Sequence, residues 1–178
     1  MNAMQDRLGW SFSSTLAAAI PFVCAIIGAI IGNMPVSLVG GVLPSPLFAL
    51  MPVYFWCLVR PDLMPPWAVF AIGVVQDLLG GGAPGIWTAT FVATYALVDR
   101  ERESFAGLAG FGAVLGFAGA MLTAGLVAYA IVAFYYWRLP PLSPIVIEIV
   151  VSVVFYIPVA YILNFIHQKL VGPLRGDF

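Results

Sequence analysis

The stretch WAVFAIGVVQDLLGGGAPGIWTATFVATYALV, Trp67 to Val98, decides how the chain is read. Two apolar segments flank Gly80-Gly81-Gly82-Ala83-Pro84-Gly85, a break that a helix does not continue through. The spacing therefore predicts a helical hairpin, with Trp67 to Leu79 going one way and Ile86 to Val98 returning. Its 32 residues are fewer than the roughly 40 that two full bilayer crossings require before any turn is added. Asp77 lies about ten residues into the first arm, roughly 15 Å deep at 1.5 Å per residue if that arm starts at the membrane surface. An ionised carboxylate at such depth must face protein or water, and irregular glycine-rich backbone there must be buried in protein or line a wet cavity. Two readings follow. Either Gln76, Asp77, Thr88 and Thr90 line a pocket open to the outer side and floored by the Gly80 to Gly85 turn, or Asp77 caps that turn by accepting backbone N–H bonds.

Composition says the rest of the chain belongs to the same environment. Of 178 residues, 62% are hydrophobic and 8% charged, with mean hydropathy +1.04, whereas soluble domains carry roughly 25% charged residues. Stretches such as Leu16 to Ile31 are apolar all round, which fits helices and not the in–out alternation of a membrane barrel. The longest polar run, Asp99 to Ser104, leaves no room for a soluble domain, so residues 1–178 are read as one all-helical, polytopic membrane bundle.

About six spans are predicted: Leu16 to Gly32, Pro46 to Val59, Trp67 to Leu79, Ile86 to Val98, Phe105 to Trp137 and Ile145 to Leu170. Pro52 predicts a kinked or short second span whose freed carbonyl neighbours must satisfy. The fifth is too long for one perpendicular crossing and is tilted, broken near Gly107 to Gly112, or extended past the bilayer. Pro140, Pro141 and Pro144 form the last loop, Pro158 marks a kink, and Asp99 to Glu103 forms a solvated loop. The run Trp10 to Gly32 exceeds the apolar region of a signal peptide and is read as a retained first span.

With six spans both termini share a side. Arg7, Arg60, Arg100, Arg102, Lys169 and Arg175 fall on that side and Arg138 alone on the other, so the positive-inside rule makes both termini cytoplasmic. Trp10, Trp67 and Trp137 sit near span ends, as interfacial indoles do.

Small residues recur at four-residue spacing in the fifth span, at Gly112, Gly116, Ala120 and Ala124, and in the first, at Gly28 and Gly32. Such stripes let helices approach closely, for packing within the chain or for docking another subunit's helix. Glu148 is an intramembrane acid early in the last span, and three readings stand: it pairs at the interface with Arg138, ten residues before it, it faces a partner, or, lying only about three residues inside the span, it snorkels to the surface. His167 belongs to a polar cluster with Gln168 and Lys169. Cys24 and Cys57 lie in apolar stretches and read as packing residues.

The net charge of -1 and the lack of a basic cluster argue against nucleic acid as a partner. No hydrolase, kinase, phosphate-loop or metal motif is present and there is one histidine, so neither catalysis nor a cofactor is expected.

At the hairpin, Gly73, Asp77, Leu78, Gly81, Pro84 and Gly85, with Pro52, Tyr54 and Trp56 upstream, make the chain resemble the rod shape-determining MreD family. The resemblance in length, span number and loop size covers nearly the whole chain. It implies a scaffold in the bacterial inner membrane, within the elongation machinery that makes lateral peptidoglycan. It further implies binding to MreC, association with RodA and its penicillin-binding transpeptidase partner, and indirect coupling to MreB. The family is similar in fold to the substrate-binding subunits of energy-coupling-factor transporters, which supplies the alternative of a vitamin-type small-molecule binder.

Overall fold

The computed structural model describes residues 19–34, 44–101 and 111–171. Among the described residues the regular structure is all helix, with no strand. In chain order the helices are α1 (Ala19–Gly32), α2 (Leu50–Val59), α3 (Pro66–Gly80), α4 (Ile86–Arg100), α5 (Phe111–Tyr136) and α6 (Leu142–Ile166). A 3-10 turn, Pro61–Leu63, joins α2 to α3, and α6 runs on through a π-helical turn, His167–Val171.

The shortest helix is the centre of the bundle. Every residue from Leu50 to Cys57 is buried, as suits a helix that is apolar on all sides. Tyr54 fixes α2 against α5 and α6. Its hydroxyl donates to the Ala113 carbonyl at 3.2 Å, and its ring lies edge-on to Phe117 and Tyr156, which stack on each other at 4.1 Å. Each such aromatic pair contributes about 0.5–1.5 kcal/mol beyond the area it buries.

The second helix is short, 10 residues, as expected, but its start and the place of Pro52 in it are corrected. The helix starts at Leu50 and not at Pro46, because Leu47 N–H is taken by the Ser152 hydroxyl at 2.9 Å and Phe48 N–H by the Pro46 carbonyl at 2.8 Å. Pro52 consequently falls in the first turn, where backbone N–H groups have no intrahelical acceptor, so its missing donor breaks nothing. Other boundaries move for similar reasons. Pro144 sits in the first turn of α6, which starts at Leu142 after Pro141, and Asp99 and Arg100 belong to α4 and not to a loop. The segment 105–110 of the expected fifth span lies outside the described residues.

Two glycines set the closest helix contacts. A Cβ on Gly73 would stand 2.6 Å from Thr88 Cα, so α3 and α4 approach backbone to backbone. A Cβ on Gly28 would stand 2.5 Å from the Phe48 carbonyl oxygen, which seats α1 on the segment leading into α2.

Helix lengths divide the bundle. The 15 residues each of α3 and α4 give about 22 Å, and the 26 of α5 about 39 Å. Gly112–Tyr136 and Leu142–Val171 are long and apolar enough to cross a membrane, by length and composition. Leu126, Phe134, Val150, Tyr161 and Ile162 are exposed along them. On α3 the exposed residues Trp67, Phe70, Val74 and Leu78 form a single apolar edge.

Candidate functional site

The hairpin turn is built by two glycines and one carboxylate. Gly81 ends α3 at φ 62° and Gly85 precedes α4 at φ 92°, both in the left-handed region that side chains with a Cβ enter at a cost. Asp77, in the last turn of α3, reaches across the hairpin turn. One carboxylate oxygen accepts Trp87 N–H at 2.8 Å. The other accepts Gly85 N–H and Thr88 N–H, each at 3.0 Å, and the Thr88 hydroxyl at 2.6 Å. These are donors that the start of α4 leaves without intrahelical partners, and a negative charge is favoured at that helix end. Asp77 thus performs the work of an N-cap from the preceding helix, the second of the two readings of this acid.

The pocket reading needs correction. An open groove of about 490 Å³ does run along the hairpin, lined by Phe70, Val74 and Leu78 of α3, Ala89 and Val92 of α4, and the Asp77–Thr88 pair, with Pro84 and Gly85 at its end. Gln76 and Thr90 do not reach it. A step of one residue turns a helical side chain by about 100°, so Gln76 points the other way, buried, and accepts from Asn33 Nδ2 at 3.1 Å. Thr90 is fully buried, with its hydroxyl unpartnered. The groove is an apolar surface with one carboxylate whose oxygens are already engaged.

The small-residue stripes lie inside the fold. Ala25, Gly28 and Ala29 are buried, and Gly28 faces the Phe48 carbonyl. A Cβ on Gly32 would stand 3.4 Å from the Pro46 carbonyl oxygen. On α5, Gly116, Ala120 and Ala124 are buried and Gly112 is half-buried. Both stripes therefore serve internal packing, which corrects their use as docking faces.

Glu148 pairs with nothing among the described residues. Arg138 is exposed in the turn between α5 and α6, where Trp137 takes φ 51°; a salt bridge among the described residues is instead found between α2 and α3, where Arg60 holds Asp62 at 2.9 and 2.8 Å. That hydrogen-bonded guanidinium keeps the Asp62 carboxyl below the usual carboxylate range. His167 lies near the Arg60 guanidinium. Its ring stands edge-on to Trp56, with Nδ1 buried and unpartnered, while Lys169 lies over the Phe165 ring.

Two polar contacts escaped the sequence reading. Asn33, read as part of a helix stop, bridges the Ala29 carbonyl and Gln76. Ser152 anchors Leu47 across 105 positions of chain, and only its place on the apolar face of α6 could have hinted at that. Among the described residues no three His, Cys, Asp or Glu side chains are grouped as metal ligands. Compared with family models, curated proteins and solved structures, the chain matches none.

Proposed function

We propose that this chain is a non-catalytic membrane scaffold of the bacterial cell-wall elongation machinery, an MreD-type protein that binds MreC and helps maintain rod shape. In this reading it is a six-helix bundle of the inner membrane, similar in fold to energy-coupling-factor substrate-binding subunits. Both termini are cytoplasmic, MreC is the direct partner, RodA and its transpeptidase partner are neighbours, and MreB is coupled indirectly.

The hairpin carries the reading. Residues that give the resemblance have definite physical tasks: Gly73 permits close approach to Thr88, Gly81 and Gly85 take positive φ, and Asp77 caps α4. Leu78, 77% exposed, and Pro84 present the outer edge that this cap holds rigid. Exposed Trp67 and Trp137 at helix ends suit membrane interfaces. A groove that is apolar apart from engaged groups suits a helix or lipid chain better than a polar vitamin, so the small-molecule alternative draws less support.

The experiment is co-purification of the full chain with MreC in detergent, alongside restoration of rod shape in cells depleted of their own MreD. Capture of MreC and restored shape are the expected results. A chain that ignores MreC but binds a vitamin or an energy-coupling module overturns the scaffold reading in favour of transport.

A further inference from the structure

The outer surface of the hairpin has relief. On α3 a ridge of bulky side chains, Trp67, Phe70, Val74 and Leu78, stands exposed. On α4 a low row runs beside it, with Gly85, Ala89 and Ala96 exposed and Val92 half-buried among them. The groove of about 490 Å³ lies between the two rows, over Phe70 to Leu78 and Gly85 to Val92. Both rows repeat at intervals of three and four residues, the spacing that keeps side chains on one face of a helix. The surface of α6 lacks such relief, exposing no glycine or alanine between Leu142 and Phe165.

The close contact of Gly73 with Thr88 sets how the rows stand against each other. The two helices of a hairpin run in opposite directions at equal rise, so each step forward along α4 from Thr88 matches one step back along α3 from Gly73. Gly85 is then level with Gln76, Ala89 with Ile72, Val92 with Val69 and Ala96 with Pro65. Gly85 thus falls between Leu78 and Val74 in depth, Ala89 between Val74 and Phe70, and Val92 between Phe70 and Trp67. Knob and hollow alternate along the hairpin.

That alternation is self-complementary. A two-fold axis parallel to the hairpin keeps every residue at its own depth and sets α3 of one copy against α4 of the other. Val74 then enters between Gly85 and Ala89 of the second copy, and Phe70 between Ala89 and Val92, while the same contacts form in reverse. Each neighbouring pair among the four helices is antiparallel, as in an up-and-down bundle. The lengths match too. Helices α3 and α4 have 15 residues each, so the rows meet end to end, whereas a helix crossing a whole membrane, about 20 residues, would overhang them. Asp77, the charge lining the groove, has both oxygens engaged within its own hairpin, so the face calls for no polar ligand.

We propose that a second copy of this chain docks on the hairpin about a two-fold axis, the α3 ridge of each copy seated in the α4 row of the other. This rests on the reading of the chain as a membrane bundle, in which two copies share one orientation and such an axis lies along the membrane normal. Close packing of large against small residues holds the pair, as it does between helices in lipid.

The test co-expresses two differently tagged forms of the full chain, both with Cys24 and Cys57 replaced. Val74→Cys in one and Ala89→Cys in the other should give a disulfide between copies under mild oxidation, while Val74→Cys with Val150→Cys on the α6 surface should not. Photobleaching of single labelled particles in lipid vesicles should show the parent chain as dimers. Ala89→Phe fills the low row at an exposed position, so it should weaken pairing roughly tenfold or more while its helical content stays that of the parent. A parent chain that is monomeric even at high protein-to-lipid ratio, or an Ala89→Phe chain that pairs like the parent, overturns the seat. A monomeric parent that loses MreC capture on Ala89→Phe gives the groove to a partner's helix and overturns the second copy, leaving the scaffold reading standing. Dimers that depend on Ala89 in a chain that ignores MreC keep the seat and remove the scaffold.

Discussion

Asp77 and Thr88 are joined twice, through the threonine hydroxyl at 2.6 Å and its backbone N–H at 3.0 Å, across eleven positions of sequence. The same threonine carries the Cα that Gly73 admits. Cap and close approach therefore meet at one residue, and the hairpin is held as a unit at the end where its two helices turn.

Asp77→Ala should lower the unfolding free energy by about 1–3 kcal/mol, because three backbone donors and a hydroxyl lose a charged acceptor. Asp77→Asn should cost less, since it keeps one carbonyl oxygen. Denaturant titration in detergent measures both. A neutral Asp77→Ala would mean that water replaces the cap without loss. If Asp77→Asn is folded, binds MreC and supports rod shape like the parent, its charge has no part in function.

Gly28→Ile and Gly73→Val should each destabilise by at least about 1–3 kcal/mol, because the new side chains meet backbone atoms that cannot move aside independently. Gly85→Ala meets open space but sits at φ 92°, so its cost is conformational, about 1–2 kcal/mol. Melting temperatures of the three variants separate crowding from backbone strain. An undisturbed Gly28→Ile would show that α1 can leave the Phe48 carbonyl freely.

Single cysteines at positions 104 and 143, in a chain whose Cys24 and Cys57 have been replaced, test orientation. A membrane-impermeant thiol reagent on intact cells should label 143 and spare 104. The reverse pattern would put both termini outside.

The Arg60–Asp62 pair gives a pH dependence of known sign. The Asp62 carboxyl is held low in the folded chain, so its contribution is full above the ordinary carboxylate range and lost as pH falls through the depressed value. The stability difference between the parent and Asp62→Asn should shrink on acidification. Asp62 is nearly half exposed, so the difference is no more than about 0.5 kcal/mol even at neutral pH. A gap that widens in acid would contradict the assignment.

The hairpin was legible because its signals are local: apolar runs, a glycine cluster and one acid within a single stretch. The choice between pocket and cap was not, since it depends on which way a side chain turns, and Gln76 and Asp77, about 100° apart on α3, find partners on different elements. Pro52 signalled a short helix but not its own place in it, for a related reason. A proline in the first turn and one in the interior look alike until the helix start is known, and that start is set by Ser152 far along the chain. Spacing found the small-residue stripes but could not name what lies opposite them. Arg138 and Glu148 are near in sequence, yet the turn that carries Arg138 leaves it exposed.

The unequal helices shape whatever surrounds them. The α3 edge is about 16 Å shorter than α5, at 1.5 Å per residue for 15 and 26 residues. A lipid sheet of uniform thickness cannot match both sides of such a molecule, and the mismatch costs a fraction of a kcal/mol per ångström. In the membrane bundle proposed above, lipid bordering Trp67, Phe70, Val74 and Leu78 would thin while lipid bordering α5 would not, and the protein would carry a slope around its rim. Neighbours with a similarly short flank relieve that slope by sharing it, which draws them to the hairpin side without any specific contact.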